Sequence, residues 1–123
     1  MTTKIKSPVE HQMHGALFAS YVAPARGSAE LCAWRVRVEP DVQGQAHRVS
    51  HEEVFLVLAG TPTITVDGDR DRLETGDVVF AAAGSSVRLD NDGDLAAELW
   101  VTTSVGLTAQ MADGTEIVPP WVR

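Results

Sequence analysis

The sequence predicts an all-β fold in a single domain, and three observations carry that expectation. Turn-forming residues recur at short intervals, at Pro24–Ser28, Glu39–Gly44, Gly60–Pro62, Asp67–Asp71, Thr75–Asp77, Gly84–Ser86, Asn91–Asp94 and Asp113–Thr115. The segments between them are short and rich in β-branched and aromatic residues, which suit a pleated surface. No stretch of ten or more residues carries the apolar spacing of a helix. Many short strands without helices leave a sandwich or a small barrel.

Taken in order, the N-terminal "MTTKIKSPVEHQ" has no apolar core of the kind a signal peptide requires. In "EHQMHG", His11 and His14 stand at odd spacing, on opposite faces of a strand but on one side of a turn. In "LCAWRVRVEP", alternation puts Cys32, Trp34, Val36 and Val38 on one face and Arg35 and Arg37 on the other, as in a half-buried strand. The run "VFLVLA", Val54 to Ala59, is apolar at every position, so both its faces call for cover from a second sheet or another subunit. "DGDRD" and "DNDGD" read as solvated turns, since neither has the spaced acidic pattern and distal glutamate of a calcium loop. The prolines of the terminal "PPWVR" exclude a helix there. That segment is expected to be extended, with Trp121 in a hydrophobic seat.

Composition narrows the function classes. A chain of 123 residues, 44% hydrophobic, can bury one core without staples. Cys32 is the single cysteine, which rules out an intrachain disulfide, gives no sign of an oxidising compartment and leaves a small core residue as its expected role. Its longest apolar run is too short to span a bilayer, so a cytoplasmic protein without membrane contact is expected. Ten Lys and Arg against seventeen Asp and Glu give a net charge of −7, which opposes nucleic-acid binding.

One segment concentrates chemistry. "HRVSHEEVFLVLAG", His47 to Gly60, sets two histidines and two glutamates ahead of the apolar run, and "GDVVFAAAGSSVRLDN" follows from Gly76 to Asn91. Together they resemble the two signature motifs of the cupin superfamily, G-x5-H-x-H-x3,4-E-x6-G and G-x5-P-x-G-x2-H-x3-N. Gly60, Gly76, Gly84 and Asn91 stand at motif spacing, and fifteen residues, Thr61 to Thr75, join the motifs. The resemblance implies a cupin-like antiparallel β-barrel of jelly-roll type over residues 29–104. Residues 1–28 would be an N-terminal segment and first strand, and 105–123 an extended tail packing on the barrel or on a partner subunit.

The family's site uses three histidines and a glutamate on iron, manganese or zinc. His47 aligns with the first histidine and Glu53 with the carboxylate, but Val49 and Val87 fall at the second and third histidine positions. Asp41 replaces the first motif glycine and Ala82 the motif proline. Half of the ligand set is absent, so no tightly bound cofactor is expected. A divalent metal remains open only if His51, at even offset from His47, or an N-terminal histidine completes the set with His47 and Glu53.

With Val49, Val87, Trp34 and Phe55 lining it, the implied pocket is dry. An ionised Glu53 there needs a partner, and His47 is the nearest in sequence. Such a pair is competent for general acid–base work. Three functions follow as expectations: an isomerase, cyclase or lyase acting on a small organic molecule through His47 and Glu53; a metal-dependent, dioxygenase-like enzyme; or a non-catalytic binder or sensor. The doubly apolar strand implies a homodimer.

Overall fold

The computed structural model describes residues 4–123; residues 1–3 of the N-terminal segment lie outside the described residues. Two antiparallel sheets face each other as a barrel-like sandwich. The first is ordered β1-β2-β3-β11-β6-β9, with β1 Val9–Met13, β2 Ala16–Val22, β3 Leu31–Val38, β6 Glu53–Ala59, β9 Val78–Ala81 and β11 Ala97–Ser104. The second is ordered β13-β12-β5-β10-β7-β8, with β5 His47–Val49, β7 Thr63–Val66, β8 Asp69–Arg72, β10 Ser86–Asn91, β12 Ala109–Met111 and β13 Glu116–Ile117; the two-residue β4, Val42–Gln43, pairs with β10. This is the all-β, jelly-roll architecture the sequence implied. Among the described residues no helix is long and apolar enough to cross a membrane.

Alternation sorts each strand between the core and the outside. On β3, Cys32, Trp34, Val36 and Val38 are buried and Arg35 and Arg37 exposed. Leu99 and Val101 of β11 and Phe55 and Val57 of β6 complete that wall. Val49, Ile64 and Val87 of the second sheet face them across the core. The sheets are tied at the end of β10 by Asn91, whose Nδ2 donates to Val38 O of β3 at 3.0 Å and to Leu95 O at 2.9 Å, while its Oδ1 accepts from Gly93 N at 3.0 Å. A fully buried amide is stable only when its hydrogen bonds are satisfied in this way.

The hairpin joining β1 and β2 turns on two residues, His14 (φ 52°) and Gly15 (φ 77°), both left-handed as a type I′ turn requires. The β1–β2 hairpin and β12–β13 extend the two sheets, so the segments on either side of residues 29–104 join the same framework.

One expectation about the fold is corrected. The C-terminal segment is not wholly extended: Pro120–Val122 make a 3₁₀ turn, with proline at its start where the missing N–H costs nothing. Trp121 is seated by it, stacked on Phe18 with ring centroids 3.7 Å apart and planes 3° from parallel. A further observation concerns β6. Glu53, Phe55 and Val57 point inward, and the opposite face carries Val54, which is 41% exposed, with Leu56 and Leu58 half-buried. Among the described residues neither end of the chain covers that face: β1 and β2 lie beyond β3 in the same sheet, and Trp121 packs against Phe18 of β2. Val78 and Phe80 of β9, 63% and 56% exposed, continue the apolar surface, paired in register with Leu56 and Val54.

Candidate functional site

The site follows from where strands begin. His47 opens β5, and the inward side of that strand carries His47 and Val49 while Arg48 points out. β10 runs antiparallel beside it with Val87 directly opposite His47, so the two side chains lie together on one face. Glu53 opens β6 in the facing sheet, and the same alternation that buries Phe55 and Val57 turns its carboxylate inward.

Between the sheets lies a cavity of about 140 Å³. Phe18, Trp34, Phe55, Val101, Leu107 and Trp121 contribute to its apolar walls, and Val87 and Leu89 line it from β10. Among the described residues its ionisable or amide side chains are His14, Gln45, His47 and Glu53, and the indoles of Trp34 and Trp121 carry N–H donors. His14 and Gln45 are exposed and His47 half-buried, which puts them toward the mouth, whereas Glu53 is only 4% exposed. No lysine or arginine lines the cavity.

Glu53 is the outlier of this interior. Its Oε1 is buried with no hydrogen-bond partner. Burial pushes its carboxyl up to about 7, because the ionised form loses its hydration and gains nothing in return. The pairing expected with His47 is not made: among the described residues no hydrogen bond or ion pair joins them, although both line the cavity. His47 Nδ1 lies 3.0 Å from the Gln45 carbonyl. A carbonyl only accepts, so Nδ1 carries the hydrogen, and in the neutral ring Nε2 is the free base.

Of the other residues singled out by the sequence, Trp34, Phe55 and Val87 line the cavity. Val49 faces the core, 1% exposed, but is not on the cavity wall. His51 is turned away, its Nδ1 2.7 Å from Ser104 Oγ and its ring against Gly106. His11 lies on β1 outside the cavity, and His14 reaches it from the hairpin turn. Sequence reasoning missed Phe18 and Gln45. Phe18 was legible in the alternation of "ALFASYV", which sets Ala16, Phe18 and Ser20 on one side; Gln45 carries no such signal.

The residues do not fit the family's metal site. His47 and Glu53 stand at their positions, but valines occupy the other two, and among the described residues no three His, Cys, Asp or Glu side chains lie close enough to hold a metal ion. By contrast, motif residues that shape the backbone persist in role. Gly60 has φ 80°, and a Cβ there would meet Ala96 O at 2.8 Å. Asp41, where the motif has glycine, itself takes a left-handed φ of 62°, a conformation asparagine and aspartate tolerate better than other side chains.

Comparison with known proteins agrees with this geometry. A family model for the cupin domain matches residues 34–103, more than half of the 123-residue chain. The chain belongs to the cupin superfamily. It is 32% identical over 78 residues to an endoribonuclease YbeY of Myxococcus xanthus, a match that spans 63% of this chain but 26% of that protein. Among solved structures, a predicted oxalate decarboxylase of Thermotoga maritima superposes with a TM-score of 0.70 at 19% identity, covering 85% of this chain and 98% of the other. The polyketide cyclase RemF of Streptomyces resistomycificus superposes with a TM-score of 0.68 at 13% identity, covering 81% and 70%. These likenesses show a common fold.

Two outcomes are expected from this site. The first concerns pH. Glu53 titrates near 7 in the folded chain against 4.5 as an unperturbed group, so below 4.5 it is protonated in both states and its ionisation adds no cost. As pH rises the unfolded chain ionises first, stability falls, and above 7 the loss is complete, on the order of 3 kcal/mol. Urea unfolding of Glu53→Gln alongside the wild type should therefore show a gap in the variant's favour that widens from pH 4.5 to 7; a constant gap would contradict the burial of an unpaired carboxyl. The second concerns the ligand count. The wild type should retain substoichiometric Fe, Mn or Zn after dialysis, since two protein donors hold such ions weakly. Val49→His with Val87→His should raise zinc affinity strongly in calorimetry. No gain would show that these valines do not occupy the vacated positions.

Proposed function

We propose that this chain is an enzyme of the isomerase, cyclase or lyase kind, moving protons on a small organic molecule through Glu53 and His47 without a tightly bound metal. The observation that carries the reading is Glu53 Oε1, a buried oxygen without a partner on the wall of an apolar cavity. Such an atom costs free energy in the empty fold and is satisfied when a ligand supplies its partner. A carboxyl raised toward neutrality is also matched to proton transfer at ordinary pH. The protonated carboxyl gives its proton to a reacting oxygen, and His47 Nε2 takes one from the neighbouring carbon; apolar walls keep water from competing. The negative net charge and the absence, among the described residues, of lysine and arginine on the wall disfavour nucleic acid as a partner.

Proton transfer can be tested without the natural substrate. The protein is incubated in D₂O with small carbon acids, namely ketones, esters and nitroalkanes, and deuterium uptake is followed by NMR. Catalysed exchange should appear with at least one of them, fall by about 10²-fold or more in Glu53→Gln, and fall also in His47→Ala. Exchange unaffected by Glu53→Gln would overturn the roles assigned.

We further infer that two copies associate through the outer face of β6 and β9, where Val54, Leu56, Val78 and Phe80 form one apolar surface. Closed two-fold pairing covers such a surface with itself. Light scattering should give twice 13.2 kDa, little changed by salt, because apolar burial is not screened. Val54→Asp should yield monomer or aggregate. A wild-type monomer at micromolar concentration would contradict the pairing.

A further inference from the structure

We propose that the cavity takes an uncharged, single-ring carbonyl compound, whose oxygen meets the buried Oε1 side of Glu53 while its ring lies between the aromatic walls. The inference deepens the proposed function and rests on its reading of the cavity as the working site. It follows from size, charge and the unmet Oε1 of Glu53 on the cavity wall, taken together.

Size comes first. The cavity measures about 140 Å³, close to the roughly 150 Å³ apolar cavity that holds benzene in an engineered protein. One ring with a short substituent fills such a space. Phe18, Trp34, Phe55 and Trp121 supply aromatic surface for it, and the stacking of Phe18 on Trp121 keeps two of these rings in place.

Charge excludes the other classes of that size. An anion needs a cation or a cluster of N–H donors to replace its hydration. The wall holds no lysine or arginine, and its nearest acid is Glu53 itself. Carboxylates and phosphates are therefore poor occupants. A primary ammonium brings three N–H donors, and among the described residues the deep wall offers Glu53 as its only side-chain oxygen acceptor, the indoles of Trp34 and Trp121 being donors and the remaining three polar side chains standing toward the mouth.

What remains is a neutral molecule with one oxygen. A carboxylic acid presents a single O–H donor, and a ligand carbonyl is an acceptor with no proton of its own. Their hydrogen bond satisfies Glu53 without placing a charge in the apolar interior. An aromatic or cyclic hydrocarbon would fill the same volume and leave Oε1 as it stands, unpartnered.

The test uses five probes on the full chain at pH 6, titrated by NMR: acetophenone, toluene, benzoate, benzylammonium and the two-ring 2-acetonaphthone. Acetophenone is expected to bind most tightly, about tenfold better than toluene, the worth of one hydrogen bond to a buried group. In Glu53→Leu that advantage should vanish, whereas Glu53→Gln, which keeps an N–H donor, should retain it. Tighter binding of benzoate or benzylammonium would overturn the assigned charge, and tighter binding of 2-acetonaphthone the assigned size. An undiminished preference for acetophenone in Glu53→Leu would overturn the contact. Binding of toluene alone refutes the ligand class but leaves the cavity in use, while binding of no probe refutes the proposed function as well.

Discussion

The arrangement of this molecule turns on one constraint: a glutamate begins the strand whose inward face is otherwise apolar. Period-two alternation leaves no choice of side, since Phe55 and Val57 must face the core and Glu53 shares their parity. The carboxyl is thus carried inside by the burial of its neighbours. Two apolar side chains of this size each contribute about 1.5–3 kcal/mol on burial, which offsets the cost of one unpaired acid. The acid adapts by holding its proton, so its titration moves to about 7. A group in that state is expensive to the fold and useful to chemistry, a combination common at working sites.

Around this residue, the cupin motifs divide into parts that shape the backbone and parts that would face a ligand. The first group is present. Asn91 ties the two sheets through its hydrogen bond to Val38 O and holds the loop after β10 through two more, Gly60 permits a close approach to Ala96, and Asp41, where the motif has glycine, takes a left-handed φ. The second group is half changed. Val87 lies opposite His47 where a histidine would extend the donor set, and instead adds to the dry wall. The chain keeps the container and alters what the container is lined with. A framework shared at 13–19% identity with proteins named for different reactions fits this division.

The fold was legible because its signals are local. "LCAWRVRV" declares its buried face by alternation, and the conformational preferences of the turn residues act within a few positions. The site was legible only in part. The motif spacing located His47 and Glu53, and period two turned them inward. Their separation by the interior was not visible, because sequence proximity across the turn at Ser50–Glu52 says nothing about which sheet each joins. His51 shows the same limit: its parity matched His47, but the strand breaks at Ser50 and the ring turns to Ser104. The exposure of Val54 depends on strand order in the sheet, and the 3₁₀ turn at Pro120 on the seat that β2 offers to Trp121. These are tertiary facts that no window of sequence contains.

The central claim is that Glu53 is a buried acid without a partner, and its titration is the direct measurement. With the glutamate side-chain carboxyls labelled with ¹³C and the Glu53 signal assigned by its loss in Glu53→Gln, the shift is followed from pH 3 to 9 in metal-free protein. The account expects a midpoint near 7, well above the other glutamates. A midpoint at or below the ordinary value of 4.5 would mean that a donor or cation meets this carboxylate after all, and would contradict the site described.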